Sequence, residues 1–381
     1  MAEFIEYASR TFGEYLLHPN EKDETNVPDK VSLKTSLVKH ENDAESPLTI
    51  DIPLTSAIMQ SVSGEKLAIA LAQQGGIAFI YCSQPIEQQT AMVKAVKDKN
   101  LKVGAGINTH DYEIRIPQLV KAGADVLCID SSDGHSKRQA NVIEFVRKNF
   151  GNAVKIGAGN VITEDGFRYL ADSGADFVKV GIGGGSICIT REEKAIGQGQ
   201  ATAVRNVVAE RNKYATEKGI YIPICSDGGI VYDNHLIMAL AFGADFVMMG
   251  KYFARFKESP SELVVRSEQG FYIPIPSDGE IANDKRITKY KEYWGEGSAR
   301  ARNWQRYGSD GRQVFEEGVD AVVPYAGNLA DGVALTKQKL VSTMCSLGAH
   351  NLKQFTRDAR ISRASISVEK ESGSHGVDIR R

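Results

Sequence analysis

Ser173-Gly174-Ala175-Asp176-Phe177-Val178-Lys179-Val180-Gly181 is the stretch from which the fold is read, because its first six residues recur elsewhere in the chain. Ala122-Gly123-Ala124-Asp125-Val126-Leu127 and Phe242-Gly243-Ala244-Asp245-Phe246-Val247 follow the same pattern. In each copy a glycine ends a helix and an apolar run then starts a buried strand. Working outward, short apolar runs fall at 53–57, 76–81, 103–107, 126–130, 154–158, 177–181, 223–227 and 246–250, with amphipathic helical patterns between them. Eight parallel strands with helical crossovers predict an α/β fold of the TIM (β/α)8 barrel type. An open doubly wound sheet also alternates strand and helix, so periodicity alone does not decide. The strand ends do. Ser56, Asn108, Asp130, Asn160, the loop from Gly181, Asp227 and Gly250 are polar or glycine positions at or just beyond C-terminal strand ends. A barrel enzyme assembles its site from many such ends, whereas an open sheet concentrates its site at one crevice.

The chain has 381 residues, with 46 Lys and Arg against 48 Asp and Glu. One barrel with insertions accounts for that length. The balanced charge argues against a basic nucleic-acid surface, and no specific nucleic-acid binding is expected. Cys82, Cys128, Cys188, Cys225 and Cys345 form no C-x-x-C pair, so neither a zinc site nor a disulfide framework is indicated. No apolar run approaches the roughly 20 residues of a membrane helix, and the first residues lack a basic segment followed by an apolar one. The expected setting is soluble, reducing and cytoplasmic, without a membrane partner.

Downstream of the central strand runs Gly181-Ile182-Gly183-Gly184-Gly185-Ser186-Ile187-Cys188-Ile189-Thr190. A free cysteine is ordinarily a buried structural residue. Four glycines, a serine and a threonine around it are not what such a residue needs. They bring backbone amides close to an anion and leave Cys188 as the one strong nucleophile of the loop. Ser226-Asp227-Gly228-Gly229 and Gly250-Lys251 follow the seventh and eighth strands, the usual phosphate corner of a barrel. D-G-G alone is a common turn, and only the barrel context makes it a site. Asp227, being anionic, is suited to accept from ribose hydroxyls rather than to hold phosphate.

Outside the repeating grammar, residues 1–48 read as a polar N-terminal arm, and 49–381 as one catalytic barrel. The regular pattern stops after Lys251. Residues 252–327, with Ser259-Pro260, Pro274-Ile275-Pro276 and a charged run near 284–292, read as a long irregular flap over the site. Helical periodicity returns at 331–347, and the tail around 371–376 reads as disordered on composition alone.

The loop 181–190, as G-x-G-x-G-S-x-C-x-T, resembles the catalytic loop of the inosine 5′-monophosphate (IMP) dehydrogenase and guanosine 5′-monophosphate (GMP) reductase family. The resemblance covers nearly the whole chain. It implies Cys188 as the nucleophile that adds to C2 of the purine. Ser56 and Met59, in Ser56-Ala57-Ile58-Met59-Gln60, resemble the first substrate strand, and Ser186, Asp227, Gly228, Gly229, Gly250 and Lys251 the ribose and phosphate side. Tyr293, Gly295, Glu296 and Gly297 are similar to the purine and phosphate loop, and Glu317-Gly318 to the pair at the hypoxanthine edge. Asp130, Ser131, Ser132, Asn160 and Gly181 resemble the nicotinamide side of an NAD site. Arg306-Tyr307 matches the flap dipeptide that activates water, with Thr190 and Glu317 as a second proton route. Potassium is implied at backbone carbonyls of Gly183, Gly185 and Cys188, with Glu371, Ser372 and Gly373 from a neighbouring subunit of a homotetramer.

Four departures stand against this pattern. The regulatory pair of CBS modules that most members carry is absent, since Lys97-Asp98-Lys99-Asn100 runs directly into Leu101-Lys102-Val103. Gly184 replaces a common Pro, Lys251 a common Ser, and Ser372 the usual Gly. The implied reaction oxidises IMP to xanthosine 5′-monophosphate with NAD, through a thioimidate on Cys188 that water hydrolyses. The alternative within the family is reductive deamination of GMP with NADPH, against which Arg306-Tyr307 argues. A non-catalytic nucleotide-binding barrel fits poorly with an intact nucleophile.

Overall fold

The structure, a computed structural model, describes residue 5 and residues 8–278, 280–284, 286–302 and 315–372. Eight strands close a parallel barrel in sequence order: β1 (Leu54–Ser56), β2 (Ile77–Ile80), β3 (Gly104–Ile107), β4 (Val126–Ile129), β5 (Ile156–Val161), β6 (Phe177–Val180), β7 (Ile224–Asp227) and β8 (Phe246–Met249). β8 pairs with β1, Val247 opposite Leu54 and Met249 opposite Ser56, and closes the ring. All eight expected strands are present, and the fold is the predicted α/β barrel.

Strand alternation sorts the side chains into two cores. Phe177, Val126, Cys128, Phe79, Phe246 and Met248 fill the barrel interior, while Val178, Val180, Leu127, Ile129 and Val247 face the surrounding helices. The interior accepts large rings because small residues face them. A Cβ at Gly157 would stand 2.0 Å from the Phe177 ring, and one at Gly104 2.4 Å from Phe79. Each fully buried phenylalanine contributes about 2–3 kcal/mol of apolar burial.

The recurring Gly-Ala-Asp has a physical explanation. Gly123, Gly174 and Gly243 have φ of 91°, 103° and 101°, the left-handed turn out of a helix that favours glycine. The aspartate that follows reaches back to the neighbouring strand: Asp125 accepts from Val103 N at 2.8 Å, Asp176 from Ile156 N at 2.6 Å and Asp245 from Ile224 N at 2.7 Å. A helix-borne cation then pairs with each carboxylate, Lys97, Arg147 and Arg211 respectively. Asp176 is the most enclosed of these, its side chain 1 % exposed, against 22 % for Asp125. Asp176→Ala removes the buried carboxylate shared by the half-buried Arg147, by Lys39 and by the Ile156 N–H. It is expected to lower stability by about 3–5 kcal/mol, with a smaller loss for Asp125→Ala, read from urea unfolding midpoints. Equal, small losses in both would remove this explanation of the repeat.

The N-terminal arm stoppers the bottom of the barrel. Leu37, Val38 and Ile50 join the interior core, Lys39 N donates to Asp176 O at 2.7 Å, and Thr35 Oγ1 to Asp245 O at 2.8 Å. Tyr15–His18 pairs antiparallel with Arg360–Arg363, so the arm also meets the C-terminal segment. At 97–104 the helix Ile86–Lys97 turns through Asn100 straight into β3.

One expectation is corrected. The segment read as an irregular flap carries a four-stranded antiparallel sheet, β9 (Leu263–Arg266), β10 (Tyr272–Ile275), β11 (Lys289–Trp294) and β12 (Asp320–Pro324), in the order β10-β9-β11-β12. Lys-Tyr-Lys-Glu-Tyr-Trp does not read as a strand because its burial comes from the barrel loops beneath it rather than from its own alternation. The flap dipeptide Arg306-Tyr307 lies outside the described residues.

Candidate active site

The C-terminal ends of the barrel strands surround one cavity. Its lining includes Cys188 and Thr190 after β6, Asp227, Gly228 and Gly229 after β7, and Gly250 and Lys251 after β8. Met59, Asp130, Ser132 and Ser186 also face it, as do Tyr293, Gly295, Glu296, Gly297 and Glu317 from the antiparallel sheet and its connections. Residues separated by more than 250 positions in sequence thus meet within one depression.

Backbone pairing places Cys188. Cys188 bridges antiparallel to Gly318, Ile189 N donates to Glu317 O at 3.0 Å, and Val319 N donates to Ile187 O at 3.0 Å. The catalytic loop is therefore stitched to the 317–319 segment as a short ladder. Across it the Cys188 Sγ donates to Thr190 Oγ1 at 3.2 Å, and Thr190 Oγ1 donates to Glu317 Oε2 at 3.2 Å. Thiol, hydroxyl and carboxylate form one chain along which a proton can move. The other barrel thiols are unsuited to nucleophilic attack. Burial pushes Cys128 up to about 12 and Cys225 well above the ordinary thiol range, so both stay protonated.

Two glycine runs meet backbone to backbone beside the thiol. Gly229 N donates to Gly184 O at 2.9 Å, and a Cβ on Gly184 would lie 3.1 Å from Gly229 N. That contact holds the two glycine runs side by side, a backbone setting that suits a phosphate dianion. Tyr293 completes this corner: a Cβ on Gly250 would stand 2.5 Å from its hydroxyl. Burial raises the Tyr293 phenol above its usual range and keeps it a hydrogen-bond donor.

Asp227 is held by residues below it. Its Oδ2 accepts from Asn160 Nδ2 at 3.0 Å and from Lys179 Nζ at 3.1 Å. Burial opposes the Lys179 charge, but the Asp227 carboxylate, with Asp130 nearby, more than offsets it, so the ammonium stays protonated. Lys179 was not anticipated as a site residue, although it lies inside the fold-defining stretch. The signal was there: by alternation with Phe177, its side chain has to point into the barrel. Asn160 also donates to Gly181 O at 2.7 Å, and its backbone N–H donates to Ser131 O at 2.9 Å, which ties Asn160, Gly181 and the 130–134 loop together.

Ser56 does not reach the cavity. It is fully buried, and its hydroxyl is bonded to Ser63 Oγ at 2.6 Å. The Glu296 carboxylate is committed as well, accepting from Gln60 N at 2.5 Å and Ser83 Oγ at 2.6 Å, which fastens the antiparallel sheet to the loops after β1 and β2. Gly183 lies in the loop ahead of Cys188. Glu371 ends a short helix, Ile366–Glu371, and Ser372 follows it; neither lines this cavity, and Gly373 lies outside the described residues. Among the described residues no helix is long and apolar enough to cross a membrane.

A family model described as the IMP dehydrogenase / GMP reductase domain matches residues 9–273 and 275–375. The chain is 42 % identical to an inosine-5′-monophosphate dehydrogenase of Tritrichomonas foetus, with 100 % of this chain and 98 % of the relative covered. It is 31 % identical to the protein of the same name from Borreliella burgdorferi, covering 92 % of this chain and 93 % of the relative. With that of Cryptosporidium parvum the identity is 30 %, over 97 % and 95 %.

Proposed function

The chain belongs to the IMP dehydrogenase / GMP reductase family, and on that premise we infer that it oxidises IMP to xanthosine 5′-monophosphate with NAD through a covalent adduct on Cys188. The observation that carries the reading is the Cys188–Thr190–Glu317 chain beside the Gly184–Gly229 contact. It sets a nucleophile, a proton path and an anion cradle within one cavity.

The nucleotide's phosphate lies against the amides of Ser186 and Gly250, with Lys251 and the Tyr293 hydroxyl beside them. Asp227, fixed by Lys179 and Asn160, accepts from the ribose hydroxyls. Met59 and Gly295 to Gly297 border the base. The Cys188 thiolate adds to C2, and the S–C bond makes that carbon tetrahedral. NAD, when bound, would supply the acceptor for the hydride leaving C2. Asp130, Ser131, Ser132, Asn160 and Gly181 would hold its nicotinamide side. Asn160 Oδ1 supports that fit, because it is buried with no hydrogen-bond partner and a ribose hydroxyl would satisfy it. Water then attacks C2, its proton leaves through Arg306 or through Thr190 to Glu317, and the C–S bond breaks to release product and thiolate.

The family's second reaction, reductive deamination of GMP with NADPH, is separated by assay. NADH formation with IMP and no NADPH consumption with GMP is the expected result, and the reverse pattern would reassign the chain.

The same reading includes potassium and a homotetramer. Gly183, Gly185 and Cys188 would offer carbonyls to the ion, together with Glu371, Ser372 and Gly373 from a neighbouring subunit. Truncation before Glu371 is expected to remove potassium activation, measured as NADH formation in potassium against sodium, and tetramer mass is checked by light scattering. Full activity of the intact chain in sodium, with no response to potassium, would count against the ion.

A further inference from the structure

Lys291, in β11, is a lysine enclosed within the protein, only 3 % exposed. Its Nζ donates to Ser259 O at 3.1 Å and to Ser261 O. Ser259 Oγ in turn donates to Ala254 O at 2.8 Å and to Phe256 O at 3.0 Å, which ties the lysine to the end of the short helix Lys251–Ala254. That helix begins directly after Gly250, at the phosphate corner. Two residues beyond Lys291, strand alternation puts Tyr293 on the same buried face of β11, and its hydroxyl stands against Gly250. Two segments, 250–261 and 291–293, are thus joined at the corner by Tyr293 against Gly250 and at the far end by Lys291.

An ammonium is a costly way to fill such a space, because its charge is taken out of water and the partners that hold it are backbone carbonyls. What it provides is a cross-link between segments that are distant in sequence. We propose that Lys291 is a positioning residue for the nucleotide's phosphate, holding Ser259 O and Ser261 O to β11 so that Tyr293 and the Gly250–Lys251 turn keep the spacing a phosphate needs. The proposal rests on the reading that the phosphate occupies this corner. The charged groups around the amine are Glu65 and Lys66 of the helix Glu65–Gln73, Lys257, Glu258 and Glu262 of the loop before β9, and Glu292 beside it in β11. Burial lowers Lys291 to about 8, outweighing the opposing pull of Glu258, Glu292 and Glu262, and Lys66 adds to the lowering. The charged clamp is therefore present below about 8 and lost as the pH rises through that value. A nucleotide that binds the clamped form better tightens the hold of Lys291 on its proton.

The test is calorimetric titration of the full chain with IMP at pH 7 and pH 9, in the parent, Lys291→Met and Lys291→Arg. At pH 7 Lys291→Met is expected to bind IMP about fivefold more weakly than the parent, with kcat for NADH formation within about twofold. At pH 9 the parent has lost the charge as well, and the two are expected to converge to within about twofold. Any ionisation of IMP itself is common to both chains and cancels in their ratio. Lys291→Arg stays charged at both pH values and is expected to carry the parent's pH 7 affinity, relative to Lys291→Met, through to pH 9. A lysine that only filled space would give a ratio independent of pH. The clamp is also read without nucleotide, as hydrogen exchange in peptides covering 250–263, faster in Lys291→Met than in the parent at pH 7 and matching it at pH 9. Equal exchange at pH 7, an affinity ratio that is the same at both pH values, or faster exchange with unchanged IMP affinity overturns the proposal. Failure of the parent to bind IMP would instead overturn the substrate reading, while the exchange comparison still decides the clamp.

Discussion

Cys188→Ala is expected to abolish NADH formation while IMP binding stays within about tenfold of the parent, roughly 1.4 kcal/mol. The separation follows from how the cavity is built. In the proposed binding mode phosphate and ribose would be met by backbone amides, Tyr293 and the braced Asp227, none of which depends on the sulfur. The covalent step depends on it entirely, because Cys128 and Cys225 are held as thiols by burial within the barrel. Stopped-flow absorbance of NADH together with calorimetric titration of IMP measures both halves. In the parent chain the intermediate is expected as a mass adduct on the Cys188 peptide. Turnover in Cys188→Ala, or an adduct at Cys82 or Cys225, would transfer the role.

The second large effect concerns water activation. Arg306→Ala is expected to leave the initial burst of NADH intact, slow adduct hydrolysis by about 10²–10⁴-fold and accumulate the Cys188 adduct. An arginine acting as a base is physically demanding, since its guanidinium is protonated throughout the accessible pH range. The second route needs no such demand. Thr190 already donates to Glu317, and a proton arriving at the hydroxyl passes on to the carboxylate. Glu317→Gln therefore removes the share of hydrolysis that survives at low pH, where the arginine route is weakest. Loss of the burst itself in Arg306→Ala would mean that the residue acts before or during hydride transfer, and the flap assignment would be withdrawn.

How far the fold was legible depended on which surfaces each strand buries. The barrel strands are enclosed on both faces, so they appear as compact apolar runs, and the three Gly-Ala-Asp copies mark helix ends that obey one local rule. The antiparallel sheet obeys no such rule. β10 exposes Phe271, Tyr272 and Ile273 at its start, and β11 alternates lysine with tyrosine, so neither resembles a core strand. At the site, glycine runs and the thiol were readable because their chemistry is local in sequence. The hydrogen-bond partners of Ser56 and Glu296 were not, because Ser63, Gln60 and Ser83 are brought to them by tertiary packing. Lys194 shows the same limit from the other side: it lies six residues from Cys188, yet its ion-pair partner, 3.6 Å away, is Glu317.

The stopper at the base of the barrel has a consequence for synthesis. Leu37 and Val38 emerge from the ribosome early, but their seat includes Phe246 and Met248 of the last strand, and Thr35 bonds to Asp245. Tyr15–His18 waits longer still, for Arg360–Arg363. Translation therefore leaves Leu37 and Val38 without their seat until β8 has been made, and Tyr15–His18 without its partner strand until Arg360–Arg363 has followed. Contacts of such high sequence separation make slow closure and a window for aggregation. Chaperone demand is then set by the time between the first and last strands rather than by the final stability.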